Sequence, residues 1–160
     1  MPHDIMAQKV YTKTQALPKI AKFCAYQERT QQEVRDKLYA YGLYGDEVED
    51  LICTLIEENF INEERFAKAY AGGKFRLKKW GRIKIERGLK EKGISKYCIQ
   101  QGLKEIEEET YQQTLEELLA KKYPQIKGEN SYIRKSKLAN FAIAKGYETY
   151  LVWQIIKENY

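Results

Sequence analysis

The sequence predicts an all-α fold, three tandem three-helix repeats forming an elongated, curved array. Three observations carry this reading. Ala, Leu, Glu, Lys, Gln and Arg are abundant, and only three prolines occur in 160 residues, which favours helices. One pattern recurs three times, as Leu38-x-x-x-Gly42-Leu43, Leu89-x-x-x-Gly93-Ile94 and Ala142-x-x-x-Gly146-Tyr147. Its flanks recur too: Val48, Ile99 and Val152 stand six residues past the glycines, and Ile52, Leu103 and Ile156 stand ten past.

Each glycine reads as the left-handed residue that ends a helix, a conformation glycine adopts without a Cβ penalty. In such an ending the next residue packs back on the helix. This pairs Leu43 with Leu38, Ile94 with Leu89 and Tyr147 with Ala142. Gly42, Gly93 and Gly146 are therefore assigned as structural repeat glycines. Units of this kind are stabilised by burial between neighbours, and the stack offers a concave face.

The elements follow in order. Residues 1–14 are expected to be an N-terminal tail. Repeat 1 spans 15–60, with a first helix from Gln15 to Gln27. Thr30-x-x-Glu33 is a capping box that opens a second helix ending at Gly42. A second box, Asp46 to Glu49, opens a third helix with Val48, Ile52 and Leu55 on one face. Repeat 2 spans 61–108. Asn62 caps a helix that places Phe66, Tyr70 and Leu77 on its inner face, and Gly72 and Gly73 mark a kink or a close backbone approach. Gly81 separates it from a helix ending at Lys92, and Ser95 caps the next. Glu105 to Thr110 is expected to be helical. Repeat 3 spans 109–160, with helices from Thr110 to Tyr123, from about Asn130 to Lys145, and from Glu148 to Glu158, Pro124 ending the first.

Composition excludes several functional classes. No stretch approaches the roughly 20 apolar residues of a membrane helix, and the first ten residues lack a signal-peptide core, so a cytoplasmic protein is expected. Cys24, Cys53 and Cys98 read as reduced core thiols. His3 is the single histidine, so neither a His-based triad nor a multi-His zinc site is available. No nucleotide-binding glycine loop appears, and the acidic runs are explained as helix starts and solvated faces. The chain is expected not to be an enzyme and to need neither cofactor nor metal.

Charge is the informative feature. The net charge is +5, yet residues 68–92 hold ten bases against Glu86 and Glu91, leaving −3 for the rest of the chain. Such an excess attracts polyanions, nucleic acid foremost. The candidate contacts are Lys68, Lys74, Arg76, Lys78, Lys79, Arg82, Lys84, Arg87 and Lys90. Arg65, Lys68, Arg76 and Lys79 are expected to share one helix face. Phe75 to Trp80 interleaves bases with aromatics, as single-strand binders do. Trp80 itself reads first as a bundle-packing residue. The thirteen tyrosines include a cluster, Tyr39, Tyr41 and Tyr44, suited to a protein interface.

Three passages resemble the RecX regulatory family of bacteria: Thr30-x-x-Glu33-Val34-x-x-Lys37-Leu38 with Gly42; Phe60-Ile61-Asn62-Glu63-Glu64-Arg65-Phe66-Ala67-x-x-Tyr70; and Gly81-x-Ile83 with Leu89-x-x-Lys92-Gly93-Ile94. The chain departs from the family at Asn62-Glu63, where two aspartates are usual, and at Ala144-Lys145-Gly146-Tyr147, where Arg-Arg-Gly-Phe is common. The resemblance implies tandem three-helix repeats. It also implies a negative regulator that binds the RecA recombinase filament on single-stranded DNA and inhibits its ATPase and strand exchange. The DNA contact would be weak and electrostatic, with no membrane partner, and a monomer is expected at this net charge. The alternatives are a helix-turn-helix-like DNA-binding regulator and a helical-repeat interaction scaffold.

Overall fold

The structure, a computed structural model, describes residues 10–160; the expectations for His3 and the start of the tail lie outside the described residues. Among the described residues there are nine α-helices and no strand. They are α1 (Lys13–Tyr26), α2 (Gln31–Ala40), α3 (Asp46–Glu57), α4 (Glu63–Lys78), α5 (Arg82–Glu91), α6 (Lys96–Leu103), α7 (Glu108–Lys122), α8 (Ser131–Ala144) and α9 (Thr149–Asn159). A 3-10 turn, Tyr123–Gln125, follows α7. The chain forms two compact units, Met1–Phe66 and Ala67–Tyr160, the boundary falling within α4.

In the first unit, α1, α2 and α3 pack on one another around Ile20, Val34, Leu38, Val48, Leu51 and Leu55. Two reciprocal capping boxes fix its helix starts. Thr30 Oγ1 accepts the Glu33 N–H while Glu33 Oε1 accepts the Thr30 N–H, both at 3.0 Å. Thr12 and Gln15 repeat the arrangement at 3.2 and 3.0 Å, which starts α1 at Lys13, two residues before the expected Gln15.

Two expectations for this unit fail. Asp46 is the first residue of α3, not its cap; Gly45 occupies the cap position at φ 63° with no side-chain bond, and Glu49 is drawn instead to Arg35 at 2.9 Å. Cys53 is exposed, because its position on α3 faces away from the Val48, Ile52 and Leu55 stripe. Cys24 is buried, and burial pushes its thiol up to about 11.

In the second unit, α4 runs unbroken through Gly72 and Gly73. Its buried stripe is Ala67, Ala71 and Phe75, at four-residue spacing, and Leu77 is 85% exposed rather than inward. Two residues past Phe75 is about 200° around a helix, which puts Leu77 on the outer face. The close approaches lie elsewhere: Gly88 of α5 receives the Tyr70 hydroxyl, and Gly102 of α6 receives the Ala67 carbonyl. Residues 105–110 are not one helix. Instead, a turn holding buried Ile106 joins α6 to α7. The last bundle packs α7, α8 and α9 around Leu115, Leu119, Leu138, Val152 and Ile156.

The same helix ending occurs three times. Gly42, Gly93 and Gly146 stand at φ 90°, 77° and 103°. The following residue donates its N–H to the carbonyl five back: Leu43 to Leu38 (3.1 Å), Ile94 to Leu89 (3.1 Å) and Tyr147 to Ala142 (3.2 Å). The surroundings differ. A Cβ on Gly93 would meet open space, whereas one on Gly146 would run into the Lys84 side chain and backbone.

Three substitutions test this, each read by thermal or urea unfolding. Thr30→Ala should cost about 1 kcal/mol through the lost cap. Gly93→Ala should cost about 1 kcal/mol for the left-handed backbone alone. Gly146→Ala should exceed it by at least about 1 kcal/mol, because steric conflict is added to the same strain.

Candidate nucleic-acid interface

The connection between α4 and α5 is held by hydrogen bonds to Tyr111 and to residues 145–148. Lys79 ends α4 in the left-handed conformation at φ 58°, unusual for a residue with a Cβ. The Tyr147 hydroxyl donates to its carbonyl at 2.9 Å. The Gly81 N–H donates to the Lys145 carbonyl (2.8 Å) and the Ile83 N–H to the Gly146 carbonyl (2.9 Å). The Arg82 N–H donates to the Tyr111 hydroxyl (2.9 Å), which itself donates to Glu148 Oε1 at 2.6 Å. Glycine is required at 81, where a Cβ would strike the Gly146 backbone.

This pinned loop presents Trp80, half-buried, with two ammonium groups near its ring. Lys74 Nζ lies 5.0 Å from the centroid and Lys84 Nζ 4.7 Å; Lys74 also lies 5.4 Å from the Tyr70 ring. The second grouping is on α5. Ile83, Arg87 and Lys90 share a face and line a shallow depression of about 240 Å3 with Glu86, which pairs with Lys90 at 3.2 Å. Arg76, Lys78 and Lys79 are exposed at the end of α4, and Lys68 is half-buried two turns earlier.

Two bases are removed from the expected surface. Arg65 does not join Lys68, Arg76 and Lys79 on a binding face: it bonds Glu28 at 2.6 Å and the Asn59 carbonyl at 3.0 Å. Lys79 itself lies past the end of the helix. Arg82 is a clamp rather than an open cation. Its guanidinium meets Glu148 at 2.8 Å and Glu108 at 2.7 Å and stacks 3.9 Å from the Tyr111 centroid. Burial alone would lower its pKa, but the bond to Glu108 and the charge of Glu148 outweigh it and hold the charge more firmly. Burial first, then the bond to Glu148, pushes the Tyr111 hydroxyl well above its ordinary range.

A further basic–aromatic group escaped the sequence reading. Lys122 Nζ lies 4.9 Å from the Phe141 centroid and Lys145 Nζ 6.0 Å. Residues 121–145 hold seven bases against one acid, a net +6 hidden when everything outside 68–92 was summed together. Residues 67–160 carry 20 bases and 11 acids, net +9, whereas residues 1–66 carry 8 and 12, net −4. The excess of positive charge therefore resides in the second unit.

Fold and surface together define an all-α protein of tandem three-helix bundles with a basic, aromatic-studded face. No helix of the described residues is long and apolar enough to cross a membrane. Residues 62–103 match the family model described as RecX, second three-helix domain, and residues 109–156 match RecX, third three-helix domain. The Regulatory protein RecX of Clostridium perfringens (strain 13 / Type A) is 36% identical over 122 residues, covering 75% of this chain and 57% of its own length. That of Clostridium acetobutylicum is 30% identical over 153 residues, covering 93% of this chain and 69% of its own. The crystal structure of RecX from Lactobacillus salivarius shares the fold, with a TM-score of 0.82 over 91% of this chain and 95% of that one at 22% identity. The chain belongs to the RecX family of regulatory proteins, and it spans just over half the length of the Clostridium perfringens relative.

The clamp has a pH signature. The bond from Arg82 holds the Glu108 carboxyl below its ordinary value of 4.5, so its stabilisation is complete above that value and is lost as pH falls through the lower, folded value. Glu108→Gln should flatten the acid limb of a stability-against-pH curve by well under about 1 kcal/mol, since Glu108 is exposed. Arg82→Gln should cost more, about 1–3 kcal/mol, because Glu148 keeps only the Tyr111 hydroxyl and loses its charged partner in a part-buried site.

Proposed function

We propose that this protein is a negative regulator of the RecA recombinase that binds the RecA filament on single-stranded DNA and inhibits its ATPase and strand-exchange activities. Membership in the RecX regulatory family is the observation that carries the reading. The three bundles, taken as residues 15–60, 61–108 and 109–160, act as a monomer in the cytoplasm. Lys74, Arg76, Lys78, Lys79, Lys84, Arg87 and Lys90, with Lys68 beside them, supply a weak electrostatic attachment to phosphates, and the tyrosine-rich surface around Tyr39 and Tyr44 meets RecA. Two modest attachments on one chain raise the effective affinity without either being strong. The net +9 of residues 67–160 supports the DNA contact, and the exposure of Tyr39 and Tyr44 supports the protein contact.

The test is ATP hydrolysis by RecA preassembled on single-stranded DNA, titrated with this protein. Inhibition is expected. A variant carrying Lys74→Gln, Lys78→Gln, Lys84→Gln and Arg87→Gln should inhibit more weakly, and its binding should lose about 0.7 of salt slope for each phosphate contact removed. Arg82 is left intact so that the clamp survives. Unchanged inhibition by the folded variant overturns the electrostatic assignment, and no inhibition by the parent overturns RecA as the target. Sequence-selective duplex binding without RecA would then identify a DNA-binding regulator, and no DNA binding at low salt a scaffold.

A further inference from the structure

We infer that Phe141, Lys122 and Lys145 form a second station for single-stranded nucleic acid, joined to the Trp80 station as one track; this rests on the DNA-binding reading above. Both stations have the same construction, a half-buried aromatic ring with two ammonium groups 4.7–6.0 Å from its centroid. At neither pair does a carboxylate of the described residues come within ion-pair distance. The four charges therefore remain available to phosphate. Leu118, Lys121, Lys122, Gln125 and Phe141 line a depression of about 180 Å3, its apolar floor continuous with the ring. A pocket this small suits one flat ring rather than a larger ligand.

The stations are physically connected. Lys145 follows Phe141 by one helical turn, about 5–6 Å along the chain axis. The Lys145 carbonyl accepts the N–H of Gly81, the residue next to Trp80. The Lys145 backbone thus ties the two stations, while its ammonium group serves the Phe141 ring. A positive groove with aromatic rings at intervals binds single strands without regard to sequence, because every base has a face to stack. When a base takes the ring face, each lysine can turn its flexible stem toward a flanking phosphate. Arg134 and Lys137 add positive charge nearby while bracing the 126–130 loop through the Gly128 and Lys127 carbonyls, at 3.0 and 2.8 Å.

The test is fluorescence anisotropy of labelled oligothymidylate of about 15 nucleotides with the full chain, across a salt series. Phe141→Ala should weaken binding about tenfold. The Lys122→Gln, Lys145→Gln double variant, whose changes lie at the surface, should lower the salt slope by about 1.4. Circular dichroism melting checks that each variant is folded, and the lysine pair keeps the test decisive if Phe141→Ala is not. Parent-like affinity and salt slope in the folded lysine variant, with Lys74→Gln, Lys84→Gln weakened, overturn the second station and leave the proposed function standing. No binding by the parent at low salt overturns the track together with the DNA-binding reading.

Discussion

The fastening of residues 79–83 to the third bundle is the constraint on which the second unit depends. Two backbone carbonyls, the Tyr111 and Tyr147 hydroxyls and two carboxylates all converge there. Without Tyr147 beneath it, Lys79 would have no reason to hold a left-handed backbone. Without glycine at 81 and 146 the two chains could not approach closely enough to exchange bonds. The ion pairs of Arg82 close the same joint from its outer side, so helix ending, interbundle packing and placement of Trp80 are one event.

Much of the fold was legible because its signals are local. A Gly-terminated helix is written within six residues, and Thr30 to Glu33 states its own cap. Errors arose where the signal is phase or distance. Leu77 is in helical phase with Phe66 and Tyr70, yet the buried stripe of α4 runs on through Ala67, Ala71 and Phe75, which leaves Leu77 outside. The Asp46 box looked complete in sequence, but Gly45 already turned the chain and Arg35 claimed Glu49. Arg82 could not be recognised as a clamp, since its partners lie 26 and 66 residues away.

The candidate surface was legible in part. The density of bases in residues 68–92 is plain in the sequence, but the Trp80 ring is met by Lys74 and Lys84, which lie outside the Phe75 to Trp80 run. The Phe141 group was not seen, although residues 121–145 are strongly basic, because acidic residues elsewhere cancelled them in the sum. The two units carry opposite net charges, +9 for residues 67–160 and −4 for residues 1–66.

Lys79 carries a consequence for how the surface comes into being. An isolated α4 has no cause to stop at Lys78, since a lysine in the right-handed region would let the helix wind on through Trp80. The indole would then point elsewhere on a longer cylinder, and Lys84 would leave it. A nascent chain therefore possesses all the bases of residues 68–92 well before it possesses their arrangement, and the arrangement appears only when the last bundle has folded against the loop. Formation of the basic surface is thereby coupled to the folding of residues 109–160.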